Sequence, residues 1–133
     1  GFRIAFYALR NGQWNIYSMD ADGSNETRLR PGDSDYVPSY SPACPPGASR
    51  ILFQTYSGGW EIYAMDTDGS NLNRLTFNEY FDESPAWSAD GARRDGHTER
   101  DTNHEINAMD ANGSGQTRLN VSKRADKNPA WSP

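Results

Sequence analysis

The sequence contains one cysteine, few apolar residues and no sustained helical periodicity. Cys44 is the only cysteine among 133 residues, so no disulfide can form within the chain. Beside Pro45 and Pro46, it is expected to be an incidental thiol and not a nucleophile. Apolar residues make up 35% of the chain, against 12 glycines and 8 prolines, and no segment repeats them at helical spacing. This composition disfavours long helices and favours short strands joined by turns.

Several kinds of functional segment are also missing from the sequence. No apolar stretch is long enough to cross a bilayer, and no signal-peptide pattern is present. A formal net charge of −5 argues against a nucleic-acid partner, since phosphate binding needs clustered cations. No nucleophile elbow, zinc-protease motif, phosphate-binding glycine loop or triad is recognisable. The sequence therefore predicts a protein that is not an enzyme.

One six-residue pattern, Met-Asp-x-Asp/Asn-Gly-Ser, occurs three times. It begins at Met19, Met65 and Met109, and intervals of about 45 residues are typical of a repeat architecture. A short run containing isoleucine precedes each copy, and Arg-Leu follows it. Because Asp-Gly and Asn-Gly supply a positive φ at low energetic cost, each copy is predicted to turn a β-hairpin.

A second pattern, Pro-x-aromatic-Ser, keeps step with the first. It begins at Pro38, Pro85 and Pro129, and its aromatic residue is expected to pack between blades. Each repeat is then predicted to hold four short strands, as does the blade of a β-propeller. The predicted repeat units of this single domain, 1–133, are about 1–42, 43–89 and 90–133, with inner strands shared across the unit boundaries.

Together the two patterns resemble the TolB-type, WD-like β-propeller repeat family over nearly the whole chain. The resemblance implies an all-β fold of radial four-stranded blades around a channel, commonly six of them. It also implies a periplasmic or secreted protein, either an interaction protein or an accessory domain of a protease or other hydrolase. Because three blades cannot close a ring, we expect a homodimer of six blades in which Trp131 and Ser132 join the partner's N-terminal hairpin. The alternative is a fragment of a single-chain propeller.

The third repeat departs from the pattern of the other two. Residues 93–98 stand where the earlier copies have Ile4-Ala5-Phe6 and Ile51-Leu52-Phe53, and contain almost nothing apolar. The segment is predicted to be a loop or a poorly buried strand. His97 and His104 are therefore expected to be solvated loop residues. The alternative is a transition-metal site completed by nearby carboxylates: Asp95, Glu99 and Asp101.

Carboxylates repeat three residues before each proline, at Asp35, Asp82 and Asp126. Because the three aspartates occupy the same position in each repeat, they are expected to lie at the same level along the channel axis. Together with Glu83 they are predicted to form a ring at the channel mouth. Such a ring attracts a metal ion, an amine or a basic peptide. The alternative is that each aspartate caps its own turn. The main prediction is a non-catalytic scaffold that binds a protein or peptide partner at its channel mouth and loop face.

Two other residue sets support alternative functions. Trp14 and Trp60 stand beside turns and could stack on sugar rings, which would make the protein a lectin-like propeller, although the same residues could cover a neighbouring blade. The aspartates of the repeated turns suggest calcium, yet Asp and Asn also stabilise turns without a metal, so no cofactor is expected. These aspartates are Asp20, Asp22, Asp66 and Asp68.

Overall fold

The computed structural model describes residues 3–29, 40–43, 50–56, 58–100 and 103–132, with only the backbone at 40–43 and 100. Asp35, Cys44 and Asp101, for which the sequence made predictions, lie outside the described residues, and so does the side chain of Tyr40.

All regular structure in the described residues is β-strand, which confirms the all-β prediction. The strands are short and joined by turns, as the high glycine and proline content indicates. Their bounds are β1 Arg3–Arg10, β2 Gln13–Asp20, β3 Thr27–Arg28, β4 Tyr40–Ala43, β5 Arg50–Tyr56, β6 Trp60–Asp66, β7 Asn73–Arg74, β8 Asp82–Trp87, β9 Arg93–Arg100, β10 Asn103–Asp110 and β11 Thr117–Arg118.

The strands form three antiparallel sheets. The first has the order β1-β2-β3, the second β4-β5-β6-β7 and the third β8-β9-β10-β11. The repeated Asp/Asn-Gly turns join the last two strands of each sheet, so the hairpin prediction is confirmed. In the first turn Gly23, at φ 86°, donates its N–H to the carbonyl of Asp20 at 2.9 Å.

Three edge strands approach one another on one side of the sheets. β4 contacts both β1 and β8, and β8 carries the Pro85 copy of the Pro-x-aromatic-Ser pattern. This agrees with that pattern forming the innermost strand of a blade. The Pro129 copy forms no strand within residues 119–132, and the first sheet holds three strands in the described part of the chain.

The second sheet is covered on both faces because its side chains alternate between two apolar layers. Ile51 and Phe53 point to one side, and Leu52, between them, points to the other. The layer against the first sheet contains Ile16, Leu29, Ile51, Phe53 and Met65. The layer against the third sheet contains Leu52, Ile62, Ala64, Leu75 and Met109, with Trp87 packed against it.

The prediction that residues 93–98 form a loop or a poorly buried strand is wrong. They lie in β9, which pairs with β8 on one edge and with β10 on the other. Backbone pairing does not depend on apolar side chains, and the neighbouring sheet covers one face of the strand. Arg94 and Thr98 are buried on that face, and Asp95 and His97 are buried on the opposite face. His97 and His104 are therefore strand residues, and the prediction that they are solvated loop residues is also wrong.

Candidate functional site

Three side chains with metal-ligating atoms meet on one face of the third sheet. Glu83 on β8 lies opposite His97 on β9. His97 lies opposite Ile106 on β10, so His104 is its diagonal neighbour. Because alternate side chains share a face, Glu83, His97 and His104 point the same way. We call them the Glu83–His97–His104 cluster.

The cluster is tight and largely shielded from solvent. His97 Nε2 lies 3.1 Å from Glu83 Oε2, and the two imidazole rings meet edge to face with centroids 5.1 Å apart. One ligand atom from each residue lies within 4.8 Å of the other two. Among the described residues, no other group of three His, Cys, Asp or Glu side chains meets this distance. His97 is 4% exposed, while Glu83 and His104 are half-buried.

The local environment favours the ionised form of Glu83 and the neutral form of His104. The hydrogen bond from His97 lowers the pKa of Glu83, although burial partly opposes this shift. Burial lowers the pKa of His104, and the positive charge of Lys127 acts in the same direction. The Nδ1 atoms of both histidines are buried and have no hydrogen-bond partner among the described residues.

The cluster faces away from the second sheet. Gly96, on the opposite face of β9, lies so close to that sheet that an added Cβ would be 3.1 Å from Ile62 Cδ1. Residues 126–128 border the cluster instead. Asp126 donates its N–H to the carbonyl of His104 at 2.8 Å, and the charge of Lys127 acts on both Glu83 and His104.

The carboxylates predicted at the channel mouth are held by asparagines of their own connecting segments. Asp82 Oδ2 accepts a 2.6 Å hydrogen bond from Asn78 Nδ2. Asp126 Oδ2 accepts one of the same length from Asn120 Nδ2. Asp82 is buried and Asp126 half-buried. Both aspartates thus have an asparagine as hydrogen-bond partner but differ in burial, and their role in partner binding stays a prediction.

The aspartates considered for calcium are engaged inside their turns. Asp22 Oδ1 accepts hydrogen bonds from Ser24 N at 2.9 Å and Ser24 Oγ at 2.6 Å, and these bonds lower the pKa of Asp22. Asp20 Oδ2 accepts a 2.7 Å bond from Asn25. Asp66 and Asp68 repeat this geometry in the second turn.

The third turn shows that asparagine can replace aspartate in this structure. Asn112 Oδ1 accepts from Ser114 N at 2.9 Å and from Ser114 Oγ at 2.6 Å, the same bonds that Asp22 makes. We therefore expect the double variant Asp22→Asn, Asp68→Asn to melt at the parental temperature at pH 7. Because these carboxylates have lowered pKa values, their contribution is present above the ordinary pKa of 3.8 and lost as the pH falls.

Thermal melts at pH 7 and pH 3, each with and without calcium, check this expectation. The variant should lose less stability than the parent between the two pH values. The converse substitution Asn112→Asp serves as the control and should increase the acid sensitivity. A calcium-dependent rise in the parent that is absent from the double variant would contradict a purely structural role.

Trp14 and Trp60 occupy the same position in the first and second sheets. Trp14 is 40% exposed, with its ring centroid 5.4 Å from that of Tyr7. Trp60 is half-buried and packs edge to face on Tyr56 at 5.7 Å. In the third sheet the corresponding residue is His104. Sugar stacking by these tryptophans stays a prediction.

Sequence reasoning missed Arg94, which is completely buried. Its guanidinium carbon lies 4.6 Å from the centroid of the Trp87 ring. None of its three guanidinium nitrogens has a hydrogen-bond partner among the described residues. Burial lowers the pKa of Arg94 to about 10, and the charge of Arg50 acts in the same direction. The available signal was the repeat register, which places Arg94 where the second sheet has Ile51.

The connection between β7 and β8 exposes three aromatic side chains. Phe77 is 74% exposed, and Tyr80 and Phe81 are each 41% exposed. The guanidinium carbon of Arg74 lies 5.1 Å from the ring centroid of Phe77. We call residues 77–81 the aromatic loop. In the third repeat Val121, 85% exposed, stands in the place of Phe77.

Comparison with known proteins gives a consistent fold assignment. The family model described as the TolB beta propeller domain matches residues 1–133. A TolB protein from Agrobacterium tumefaciens is 26% identical with a TM-score of 0.81, over 98% of this chain and 50% of that chain. TolB from Acinetobacter baumannii is 23% identical with a TM-score of 0.76, over 96% of this chain and 32% of that chain.

More distant structures share the fold alone. Dipeptidyl peptidase 4 from Porphyromonas gingivalis is 18% identical with a TM-score of 0.66, over 89% of this chain and 17% of that chain. The chain therefore spans half or less of the length of each of these structures. No curated protein sequence matches it. None of the described residues forms a helix that is long and apolar enough to span a membrane.

Proposed function

The chain belongs to the TolB β-propeller domain family, and on that premise we propose that it is a non-catalytic scaffold that binds a protein or peptide partner. The proposed surface is the aromatic loop together with the channel mouth. The observation that carries the proposal is the exposure of Phe77, Tyr80 and Phe81, immediately before Asp82 and Glu83. Exposed aromatic side chains are typical of protein interaction sites.

The neighbouring charges indicate the chemistry of the partner. Glu79 lies within the aromatic loop and is exposed, and the chain as a whole carries a net charge of −5. A basic segment with apolar or aromatic residues would complement this surface, because lysine and arginine interact both with carboxylates and with aromatic faces. The partner is therefore proposed to be a basic peptide segment of another protein.

A lysine-rich peptide containing one aromatic residue is a suitable probe, with binding measured by calorimetry. The double variant Phe77→Ser, Tyr80→Ser is expected to bind at least about tenfold more weakly, because loss of aromatic anchors removes more than about 1.4 kcal/mol of binding free energy. Val121→Ser is the matched control, since Val121 is 85% exposed at the corresponding position. Equal binding by parent and double variant, or no binding by the parent, would contradict the proposal.

The carboxylates have a test of their own. The triple variant Asp35→Asn, Asp82→Asn, Asp126→Asn is expected to bind the same peptide more weakly than the parent. A second triple variant in the hairpin turns, Asp22→Asn, Asp68→Asn, Asp110→Asn, removes the same charge elsewhere and should bind like the parent at moderate salt. If both triple variants lost the same peptide affinity, the effect would come from the net charge of the chain. That outcome would contradict a ring of carboxylates at the channel mouth.

We further propose that two chains complete one six-bladed ring. Within the described residues, the first sheet has three strands and β1 is at its edge. The segment at 126–132 repeats the local geometry at the start of β8, because Asn128 has a φ of 54° and Ser84, its counterpart, has a φ of 52°. This backbone is suited to adding as an inner strand to the β1 edge of a second copy.

Light scattering after size exclusion tests ring closure. The proposal predicts a particle of two chains, each of 14.8 kDa, and Trp131→Ser should shift it toward the monomer. A parent chain that is folded and monomeric would contradict the dimer and leave the peptide-binding proposal standing.

Two alternative functions follow from specific observations. The 40% exposure of Trp14 favours a lectin-like role, which a glycan array comparing the parent with Trp14→Ser would test. The likeness to a peptidase that is much longer than this chain favours an accessory propeller of a hydrolase, which the length of the encoding gene would test. A periplasmic or secreted location is proposed from the family and would be tested by fractionation.

A further inference from the structure

We propose that Glu83, His97 and His104 form a binding site for a divalent transition-metal ion such as zinc. Two imidazoles and one carboxylate are a donor set that suits zinc, cobalt and iron(II), whereas calcium and magnesium prefer oxygen ligands alone. The site spans three adjacent strands, β8, β9 and β10. Glu83 also belongs to the predicted channel mouth, whereas neither the aromatic loop nor the aspartates of the hairpin turns supply any of the three ligands.

The ligand atoms are close to the arrangement that a metal ion needs. Bonds of about 2.0–2.1 Å in a tetrahedral site place ligand atoms about 3.3–3.4 Å from one another. His97 Nε2 and Glu83 Oε2 are already 3.1 Å apart, and all three ligand atoms lie within 4.8 Å. A small side-chain rotation of His104, which is half-buried, would bring its nitrogen into range. Water or Glu99, opposite His104 on β9, is available as a fourth ligand.

The histidines also have unmet bonding capacity. The buried Nδ1 atoms of His97 and His104 have no hydrogen-bond partner among the described residues. Such unpaired buried polar atoms are uncommon and call for an explanation, such as a bound ion or water. A metal ion bound through Nδ1 of His104 would use this capacity directly. His97 would bind through Nε2, and its Nδ1 would remain available for an outer hydrogen bond.

The position of the cluster explains what the ion would do for the fold. The third sheet has Arg94 where the second sheet has Ile51, and His97 where it has Gln54. β9 therefore contributes less apolar side-chain surface to the third sheet than β5 contributes to the second. An ion that joins β8, β9 and β10 would stabilise the blade by coupling metal binding to folding.

Lys127 is the group that opposes metal binding. Its charge acts on both Glu83 and His104, and a cation at the cluster would be repelled by it. Lysine is long and flexible, so the ammonium can withdraw toward solvent when an ion enters. The proposal therefore predicts opposite effects for two kinds of variant. Removal of Lys127 should strengthen metal binding, whereas removal of a ligand should weaken it.

The experiment is a calorimetric titration of the untagged, chelator-treated full chain with zinc. The variants His104→Asn and Glu83→Gln should each bind zinc at least about tenfold more weakly, because loss of an outer hydrogen-bond partner alone costs 10–100-fold. Lys127→Gln should bind more tightly than the parent. Glu26→Gln removes an equal charge from an exposed carboxylate that pairs with Arg10, far from the cluster in sequence and beside another sheet, and should bind like the parent.

Two further readouts report on the site itself. Zinc should raise the melting temperature of the parent more than that of His104→Asn, and circular dichroism establishes that each variant is folded. Cobalt(II) should give visible absorption bands of nitrogen and oxygen coordination in the parent that weaken in the ligand variants. Absence of zinc binding by the parent, or parental affinity in both ligand variants, would overturn the proposal.

Discussion

Gly69→Ala is expected to destabilise the chain by roughly 2–5 kcal/mol. Gly69 lies in the second hairpin turn at φ 88°, and an added Cβ would lie 2.2 Å from the carbonyl oxygen of Leu29. Leu29 follows the first hairpin, where its own N–H bonds to the carbonyl of Ile16 at 2.9 Å, so its backbone cannot turn away freely. The substitution therefore combines backbone strain with a clash between neighbouring repeats.

Gly23→Ala is the matched control for this clash. Gly23 occupies the corresponding position in the first turn at φ 86°, but no atom lies within 4 Å of its would-be Cβ. It should lose only about 1–2 kcal/mol, the penalty for placing a residue with a Cβ at positive φ. Urea unfolding of the two variants measures the difference. Equal losses would mean that the contact between Gly69 and Leu29 does not constrain the packing of the repeats.

This pair of glycines shows which part of the fold the sequence could predict. Met-Asp-x-Asp-Gly-Ser is a local signal, so the turns at Gly23 and Gly69 could be recognised from adjacent residues. The different surroundings of the two glycines could not be predicted from adjacent residues, because they depend on whether another repeat packs against the turn. That information resides in the packing of one sheet on the next.

The third repeat shows the converse limit. The polar composition of 93–98 indicated a loop or a poorly buried strand, yet β9 is paired along both edges. Tertiary pairing overrides local composition because the neighbouring strands satisfy the backbone of β9 whatever side chains it carries. The hairpin register then decides the site: once Arg100 pairs with Asn103, His97 and His104 must be diagonal neighbours. The sequence supplied the ligand residues but not this register.

Arg74→Met is expected to destabilise the chain by about 2–4 kcal/mol, because it would leave a buried carboxylate without its cation. Glu61 is 2% exposed. Its Oε1 lies 2.5 Å from Arg74 Nη2, and its Oε2 accepts a 2.5 Å hydrogen bond from Thr76 Oγ1. Thr76 Oγ1 also accepts from the N–H of Ile62 at 2.9 Å. Thr76 would remain as a donor, which keeps the expected loss below that of a fully isolated charge.

The loss of stability caused by Arg74→Met should grow as the pH rises from acid to neutral. Burial raises the pKa of Glu61 above 4.5, while the hydrogen bond from Thr76 and the charge of Arg74 oppose the shift. A raised pKa means that stability is greatest below the unfolded pKa and falls as the pH rises through the folded value. Without Arg74 the pKa of Glu61 rises further, so the variant should be closest to the parent in acid. Denaturant unfolding between pH 4 and pH 8 measures this trend.

The repeats contain their own controls for this ion pair. Arg118 lies 2.6 Å from Glu105 Oε1, and Glu105 is 1% exposed, so Arg118→Met should also lose stability. The loss should be smaller than that of Arg74→Met because Glu105 Oε1 also accepts hydrogen bonds from Ser122 N and Asn103 Nδ2. In the first sheet the corresponding arginine is Arg28, but Asn15 takes the place of Glu61, so Arg28→Met strands no carboxylate at that position and should lose less stability. If all three variants lost the same stability, the effect would come from the aliphatic part of the arginine, and the buried charge would not be its cause.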